Sequence, residues 1–131
     1  KTRIGSDKNK YLIALLQRVQ DNKPLLDSVP KELYDDARNA FNNNDDTKFS
    51  NWEMGNIGFL ASYNGRWFDG GYAKTGERYR DYYREAKDNI LKQALYLKDI
   101  KFSCKDYKYY NDVNLKNFVI YVDPPYQNQK Q

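Results

Sequence analysis

The run Asn117-Phe118-Val119-Ile120-Tyr121-Val122, followed at once by Asp123-Pro124-Pro125-Tyr126, constrains this chain more than any other stretch. Five consecutive apolar, β-branched or aromatic residues predict a strand buried on both faces, as in a parallel sheet. The two prolines cannot donate to a sheet ladder and force an extended turn, so the strand has to stop at Asp123. A carboxylate, a proline carbonyl and an aromatic ring are thereby gathered just past the carboxyl end of a strand, where open α/β sheets bind ligands. A planar substrate with an exocyclic amine suits them: it can stack on Tyr126 and donate hydrogen bonds to Asp123 and the backbone. The plain alternative is a Pro-Pro turn, with Asp123 as a turn residue and Tyr126 on the surface.

Length allows one domain at most: 131 residues support a modest core. Lys and Arg outnumber Asp and Glu by 22 to 18, a net charge of +4 that permits a nucleic-acid partner without requiring one. The 13 tyrosines are more telling, since each offers a stacking face and a polar edge. With no histidine, Ser-His-Asp hydrolysis, histidine general-base catalysis and histidine-ligated metals are excluded. Cys104 is the single cysteine, so no disulfide within the chain and no multi-cysteine zinc site can form, and a reducing cytoplasm is the expected compartment. The apolar runs Tyr11 to Leu16 and Phe118 to Val122 are too short to span a bilayer.

Read along its length, the chain opens with Thr2 to Asp7 as the tail of a strand. Ser6 or Asp7 can cap a following helix whose stripe is Leu12, Leu15, Leu16 and Val19. A second helix is predicted from Pro30 at its first position, with Leu33, Ala37 and Phe41 turned inward. The polar run Asn42 to Asp46 is a loop. Ser50 to Ser62 has helical spacing through Trp52, Ile57 and Leu60, against which Gly55 and Gly58 argue. A long helix is predicted from about Glu77 to Lys98, burying Tyr79, Tyr83, Ala86, Ile90, Ala94 and Leu97. Ile100 to Ser103 is a short strand.

Between the third and fourth helices lies Tyr63-Asn64-Gly65-Arg66-Trp67-Phe68-Asp69-Gly70-Gly71-Tyr72-Ala73-Lys74, with Arg78, Arg80 and Arg84 beyond it. Aromatics interleaved with cations and glycines allow base stacking, phosphate contact and close backbone approach within one segment. Candidate nucleic-acid contacts are Tyr63, Asn64, Arg66, Trp67, Lys74, Arg78, Arg80 and Arg84; Trp67 and Phe68 can equally fill a local core. Asp7, at a strand end, occupies the kind of place where an acidic residue accepts hydrogen bonds from ribose hydroxyls, or simply caps a helix. Asp106 and Tyr107 follow the Ile100 strand in a similar position, with a solvated connection as the alternative.

Taken together these pieces resemble the DNA adenine methylase family of bacteria and phages. Gly5 to Leu12 looks like the family's second strand, acidic residue and helix, Asn64 to Arg84 like part of its helical target-recognition insert, and Val122 to Tyr126 like its Asp-Pro-Pro-Tyr motif. The order of the three is the family's order. The resemblance implies a partial Rossmann-like α/β methyltransferase sheet from residues 1–27 and 99–131, with 28–98 as the DNA-recognition insert. It implies S-adenosyl-L-methionine as methyl donor, touched by Asp7, Asp106 and Tyr107, and double-stranded DNA as partner, with Asp123, Pro124, Pro125 and Tyr126 catalytic. The alternatives are a non-catalytic nucleic-acid-binding module and an inactive remnant. The family's glycine-rich cofactor loop and first strand would precede Arg3, so the chain is expected to be a fragment that binds the cofactor weakly or not at all. Self-association is expected through the incomplete sheet around Ile4 and Phe118.

Overall fold

The structure, a computed structural model, describes residues 2–74 and 80–122. Two parallel strands, β1 (Arg3–Asp7) and β2 (Ile100–Cys104), pair in register from Arg3 opposite Ile100 to Asp7 opposite Cys104. Helices α1 (Lys10–Gln20), α2 (Lys31–Asn42), α3 (Asn51–Leu60), α4 (Tyr82–Lys92) and α5 (Ala94–Leu97) lie between them in the sequence. The fold is therefore mixed α/β, with helices joining two neighbouring parallel strands. Among the described residues no helix is long and apolar enough to cross a membrane.

α1 packs against both strands and against α3. Its cap is Asn9, which differs from the expected Ser6 or Asp7. The Asn9 side-chain oxygen accepts from the backbone N–H groups of Tyr11 (2.9 Å) and Leu12 (3.1 Å). Ser6 and Asp7 are still in β1, where the Asp7 carbonyl accepts from Lys105 N–H at 3.0 Å, and a residue in a ladder cannot also turn the chain into a helix. Ile13, Leu15 and Val19 are buried, while Leu12 and Leu16 are half-buried. Ile13 joins the core because α1 has packing partners on more than one side.

Pro30 stands just outside α2, not in its first turn: its ψ of 162° is extended, and the helix begins at Lys31. Tyr34, Ala37 and Ala40 form the buried stripe, flanked by half-buried Leu33 and Phe41. α3 starts with a reciprocal cap, in which Ser50 N–H donates to Glu53 and Glu53 N–H donates to Ser50 Oγ. This helix is the centre of the molecule, with Met54, Gly55, Asn56, Ile57, Gly58 and Leu60 all buried. A helix buried over most of its circumference lies within a core.

The two glycines that weaken the helical reading of this segment explain its position. A Cβ at Gly55 would collide with the carbonyl oxygen of Tyr11 in α1, and one at Gly58 would collide with the Trp67 ring. Their hydrogens let α1 and an aromatic loop approach α3 at backbone distance.

The expected long helix from Glu77 to Lys98 is two helices. Asp81 starts α4 by accepting from Arg84 N–H at 3.0 Å. The chain tightens at Gln93, whose N–H donates to Ile90 (3.1 Å) and whose carbonyl accepts from Tyr96 (2.9 Å). Past α5, the Gln20 amide donates to the carbonyls of Leu97 (2.7 Å) and Ile100 (2.6 Å), turning the chain into β2. Tyr83 is buried, and Ala86, Ile90, Ala94 and Leu97 pack against the core as expected. Residues 77–79, including Tyr79, lie outside the described residues. One core runs through both expected segments, joining Leu15 and Val19 to Tyr34, Met54 and Tyr83.

The expected strand at Phe118 to Val122 does not form. The described residues contain a sheet of two strands only. Val119 is 102% exposed and Tyr121 90%, and the run pairs with no strand among the described residues. Strand formation is a non-local event: a run with high strand preference stays unpaired until an edge meets it.

Two predictions follow from this packing. Gly55→Ala should destabilise the protein by about 1–3 kcal/mol in denaturant unfolding, because overpacking against the Tyr11 carbonyl outweighs the ~1 kcal/mol gain in helix preference. Burial pushes the Tyr83 hydroxyl up to about 12. The unfolded state then gives up this proton before the folded state does, so stability is unaffected below pH 10 and falls as pH rises towards 12. Urea midpoints measured across pH 9–12 should decline less steeply in Tyr83→Phe than in the parent.

Candidate nucleic-acid interface and strand-end turn

Residues 62–73 form a closed loop whose base is an antiparallel bridge between Ser62 and Tyr72. Tyr63 N–H donates to Gly71 (2.9 Å) and Ala73 N–H to Ala61 (2.9 Å). Within it, Asp69 N–H donates to Arg66 at 2.7 Å and Gly65 N–H to Ser62 at 3.0 Å. The buried Ser62 hydroxyl accepts from Phe68 N–H at 2.8 Å and shares a hydrogen bond of 3.0 Å with the buried Tyr34 hydroxyl. Five residues take positive φ: Asn64 (52°), Gly65 (67°), Trp67 (34°), Phe68 (62°) and Gly71 (77°). For Trp67 and Phe68 this is a sparsely populated conformation, each costing on the order of 1–3 kcal/mol.

The strain turns both rings inward. Phe68 is buried against Tyr34 and Phe41. Trp67 is half-buried among Tyr11, Phe41, Phe59 and Phe68, stacking on Tyr11 at 5.4 Å and 19°. With the aromatics inside, the tip is polar: Tyr63, Asn64, Arg66 and Asp69 are exposed, as is Lys74 beyond the loop. Neither the Arg66 guanidinium nor the Lys74 ammonium makes an ion pair among the described residues.

The expected interface is thus divided. Tyr63, Asn64, Arg66 and Lys74 are on the surface, whereas Trp67 supports the loop from beneath. Arg80 is exposed but already engaged, its Nε donating to Glu85 at 2.8 Å and its guanidinium lying 4.9 Å from the Tyr82 ring centroid. Arg84 is exposed on the first turn of α4. Arg78 lies outside the described residues.

At the carboxyl ends of the strands, Asp7 is exposed and accepts from Asn9 N–H at 2.7 Å through one carboxylate oxygen. Cys104, its partner in β2, donates weakly to the Lys8 carbonyl at 3.4 Å. Asp106 follows two residues later, accepting from Lys108 N–H at 2.9 Å and leading into a turn of 3₁₀ helix, Tyr107–Asp112. Tyr107 is exposed, and the Lys105 ammonium sits 4.0 Å from the Tyr109 ring centroid. Asp7, Asp106 and Tyr107 therefore share one end of the sheet. The Tyr11–Trp67 stack fastens the loop to the first turn of α1, two residues beyond the Asn9 cap, so loop and strand-end turn are joined through α1. Asp123, Pro124, Pro125 and Tyr126 lie outside the described residues.

Sequence reasoning did not find Ser62, the hydroxyl on which the loop's interior turns, nor Asn56, which donates to Tyr83 Oη (3.0 Å) and accepts from Leu26 N–H (3.3 Å). A serine beside an aromatic and glycine-rich segment carries no local signal, because its partners come from α2 and from six residues downstream. Comparison with protein-family models, curated proteins and solved structures gives no match.

Removing the Ser62 hydroxyl leaves Phe68 N–H and Tyr34 Oη without partners in the interior. Ser62→Ala should cost about 1–3 kcal/mol, whereas Tyr34→Phe, which leaves Ser62 bonded to Phe68, should cost less. Thermal unfolding of the two variants side by side gives the comparison.

Proposed function

We propose that this chain carries the target-recognition part and part of the catalytic core of an adenine-specific DNA methyltransferase that uses S-adenosyl-L-methionine. The observation that most supports it is the joining of a closed loop that exposes Arg66, with Lys74 just beyond it, to the end of a parallel strand pair by the Tyr11–Trp67 stack. In this reading β1 and β2 are neighbouring strands of a Rossmann-like sheet, and residues 28–98 are the DNA-recognition insert. Tyr63, Asn64, Arg66 and Lys74 face the duplex, with Arg84 on the same basic segment. Arg80 contributes less, because Glu85 already neutralises it.

The strand-end residues suit the cofactor. Asp7 has one carboxylate oxygen bonded to Asn9 and a second with no partner among the described residues, which fits it to accept from a ribose hydroxyl. Tyr107, exposed at the same end of the sheet, offers a ring on which a planar base can stack. Once bound, the cofactor supplies a methyl group activated on a sulfonium. Adenine's amine is a weak nucleophile because its lone pair is delocalised into the ring. By the motif resemblance, Asp123 and the Pro124 carbonyl accept hydrogen bonds from the amine and return electron density to nitrogen. By the same resemblance Tyr126 stacks on the base after it leaves the duplex, offsetting the few kcal/mol that flipping costs.

A non-catalytic nucleic-acid-binding module is the second reading, favoured by one observation: the loop is completely built within the described residues, whereas the sheet has two strands. Two measurements separate the readings. In a full-length protein carrying these residues, Asp123→Ala should abolish methyl transfer to adenine-containing duplex and leave DNA affinity within a few-fold, since affinity comes mostly from phosphate contacts. Unchanged transfer would remove the enzyme reading. In duplex binding, Arg66→Ala and Lys74→Ala should each lower the slope of log affinity against log salt by roughly 0.9. Arg80→Ala should lower it less. Slopes unchanged for both Arg66→Ala and Lys74→Ala would place the loop away from DNA and count against both readings.

A further inference from the structure

Two features of this chain are unfinished in complementary ways. β1 is paired on one side only, and its outer edge offers the backbone groups of five residues to no strand among those described. Phe118 to Val122 is a five-residue run with high strand preference that pairs with no strand among the described residues, its Phe118 N–H donating to the Leu115 carbonyl at 3.0 Å. Its exposures alternate, at 46%, 102%, 55%, 90% and 52%, which is the period-two pattern of an extended segment with two distinct faces. Ile4, on the unpaired strand, is 48% exposed. An open edge and a free strand of equal length in one molecule are the two halves of a β-augmentation interface.

We infer that two copies of this chain associate by reciprocal strand exchange, Phe118 to Val122 of each adding antiparallel to the outer edge of the other's β1. Charge selects the direction. In antiparallel pairing with Asp7 opposite Phe118 and Arg3 opposite Val122, Lys116 falls diagonally beside Asp7, an attractive pair. Parallel pairing with Arg3 opposite Phe118 would bring Lys116 beside Arg3, and like charges across strands destabilise. Asp7 and Lys116 are both exposed, and Lys116 forms no ion pair among the described residues. The exchange is symmetric, so it closes as a two-fold dimer and does not propagate. Each copy contributes the rings of Phe118 and Tyr121, each worth roughly 150–250 Å² when buried. Phe118, Ile120 and Val122 lie on one face of the added strand and Val119 and Tyr121 on the other, with Tyr121 opposite Ile4. The exchange and the methyltransferase reading are alternative uses of the outer edge of β1, because the exchange engages Asp7 as a cross-strand charge and sets Val122 at the Arg3 end, away from the strand end which that reading gives to the cofactor.

The test is sedimentation velocity of the 131-residue chain over a range of micromolar concentrations, together with oxidative cross-linking. The parent should shift from monomer to dimer as concentration rises. Ile120→Asp should remain a monomer with its helical circular dichroism unchanged. In a Cys104→Ser background, Ser6→Cys protein mixed with Val119→Cys protein should form a disulfide-linked dimer faster than either protein alone, since the proposed register sets these positions opposite each other. A parent that stays monomeric throughout overturns the inference. So does a dimer that survives Ile120→Asp, or a mixture that links no faster than its components. Higher oligomers growing with concentration would show an open edge-to-edge assembly in place of the closed exchange.

Discussion

The stack of Trp67 on Tyr11 is the contact on which the arrangement of this molecule depends. It exists because α3 has no side chain at Gly55 or Gly58, so α1 comes down to backbone distance on one and the Trp67 ring on the other. The same indole packs on Phe41 and Phe59, so a single ring ties α1, α2, α3 and the loop together. Tertiary packing, not helix preference, decides such a site: glycine is a poor helix former, yet here a methyl group would cost more than it gave.

That stack also accounts for a loop with two non-glycine aromatics at positive φ. The backbone strain is of the order of a few kcal/mol. Against it stand the Phe68 ring in the core, the edge and face contacts of Trp67 at roughly 0.5–1.5 kcal/mol each, and the Ser62 hydroxyl fixing Phe68 N–H. Strain that is over-determined in this way makes the tip rigid. The backbone that carries Arg66 and Asn64 is then fixed, while their exposed side chains remain free of side-chain hydrogen bonds and ion pairs among the described residues.

The parts of the fold legible in the sequence were those set by local chemistry. The helical spacing through Trp52, Ile57 and Leu60, the chain break that Pro30 marks just before α2 and the stripe through Ala37 and Phe41 all mark structure within a few residues of themselves. Asn9 was missed as a cap because Asp7 has the same preference, and only the β1 ladder decides between them. The break at Gln93 was missed because the apolar period continues through it to Leu97. Trp67 read as a surface ring or a core ring with equal justice, and the answer lay in Tyr11, far away in sequence.

Phe118 to Val122 shows the other limit. Its composition is that of an interior strand, and its exposure is that of a segment without a neighbour. A helix carries its hydrogen-bond partners within itself, so α1, α2 and α3 form where their sequences say they should. A strand borrows its partners, and the β1–β2 pair forms only because α1 and the Gln20 amide hold Arg3–Asp7 and Ile100–Cys104 side by side. Among the described residues no corresponding side-chain clamp reaches residues 118–122. The same strand preference that makes this run conspicuous therefore makes it the part of the surface with most to gain from an edge supplied by another molecule.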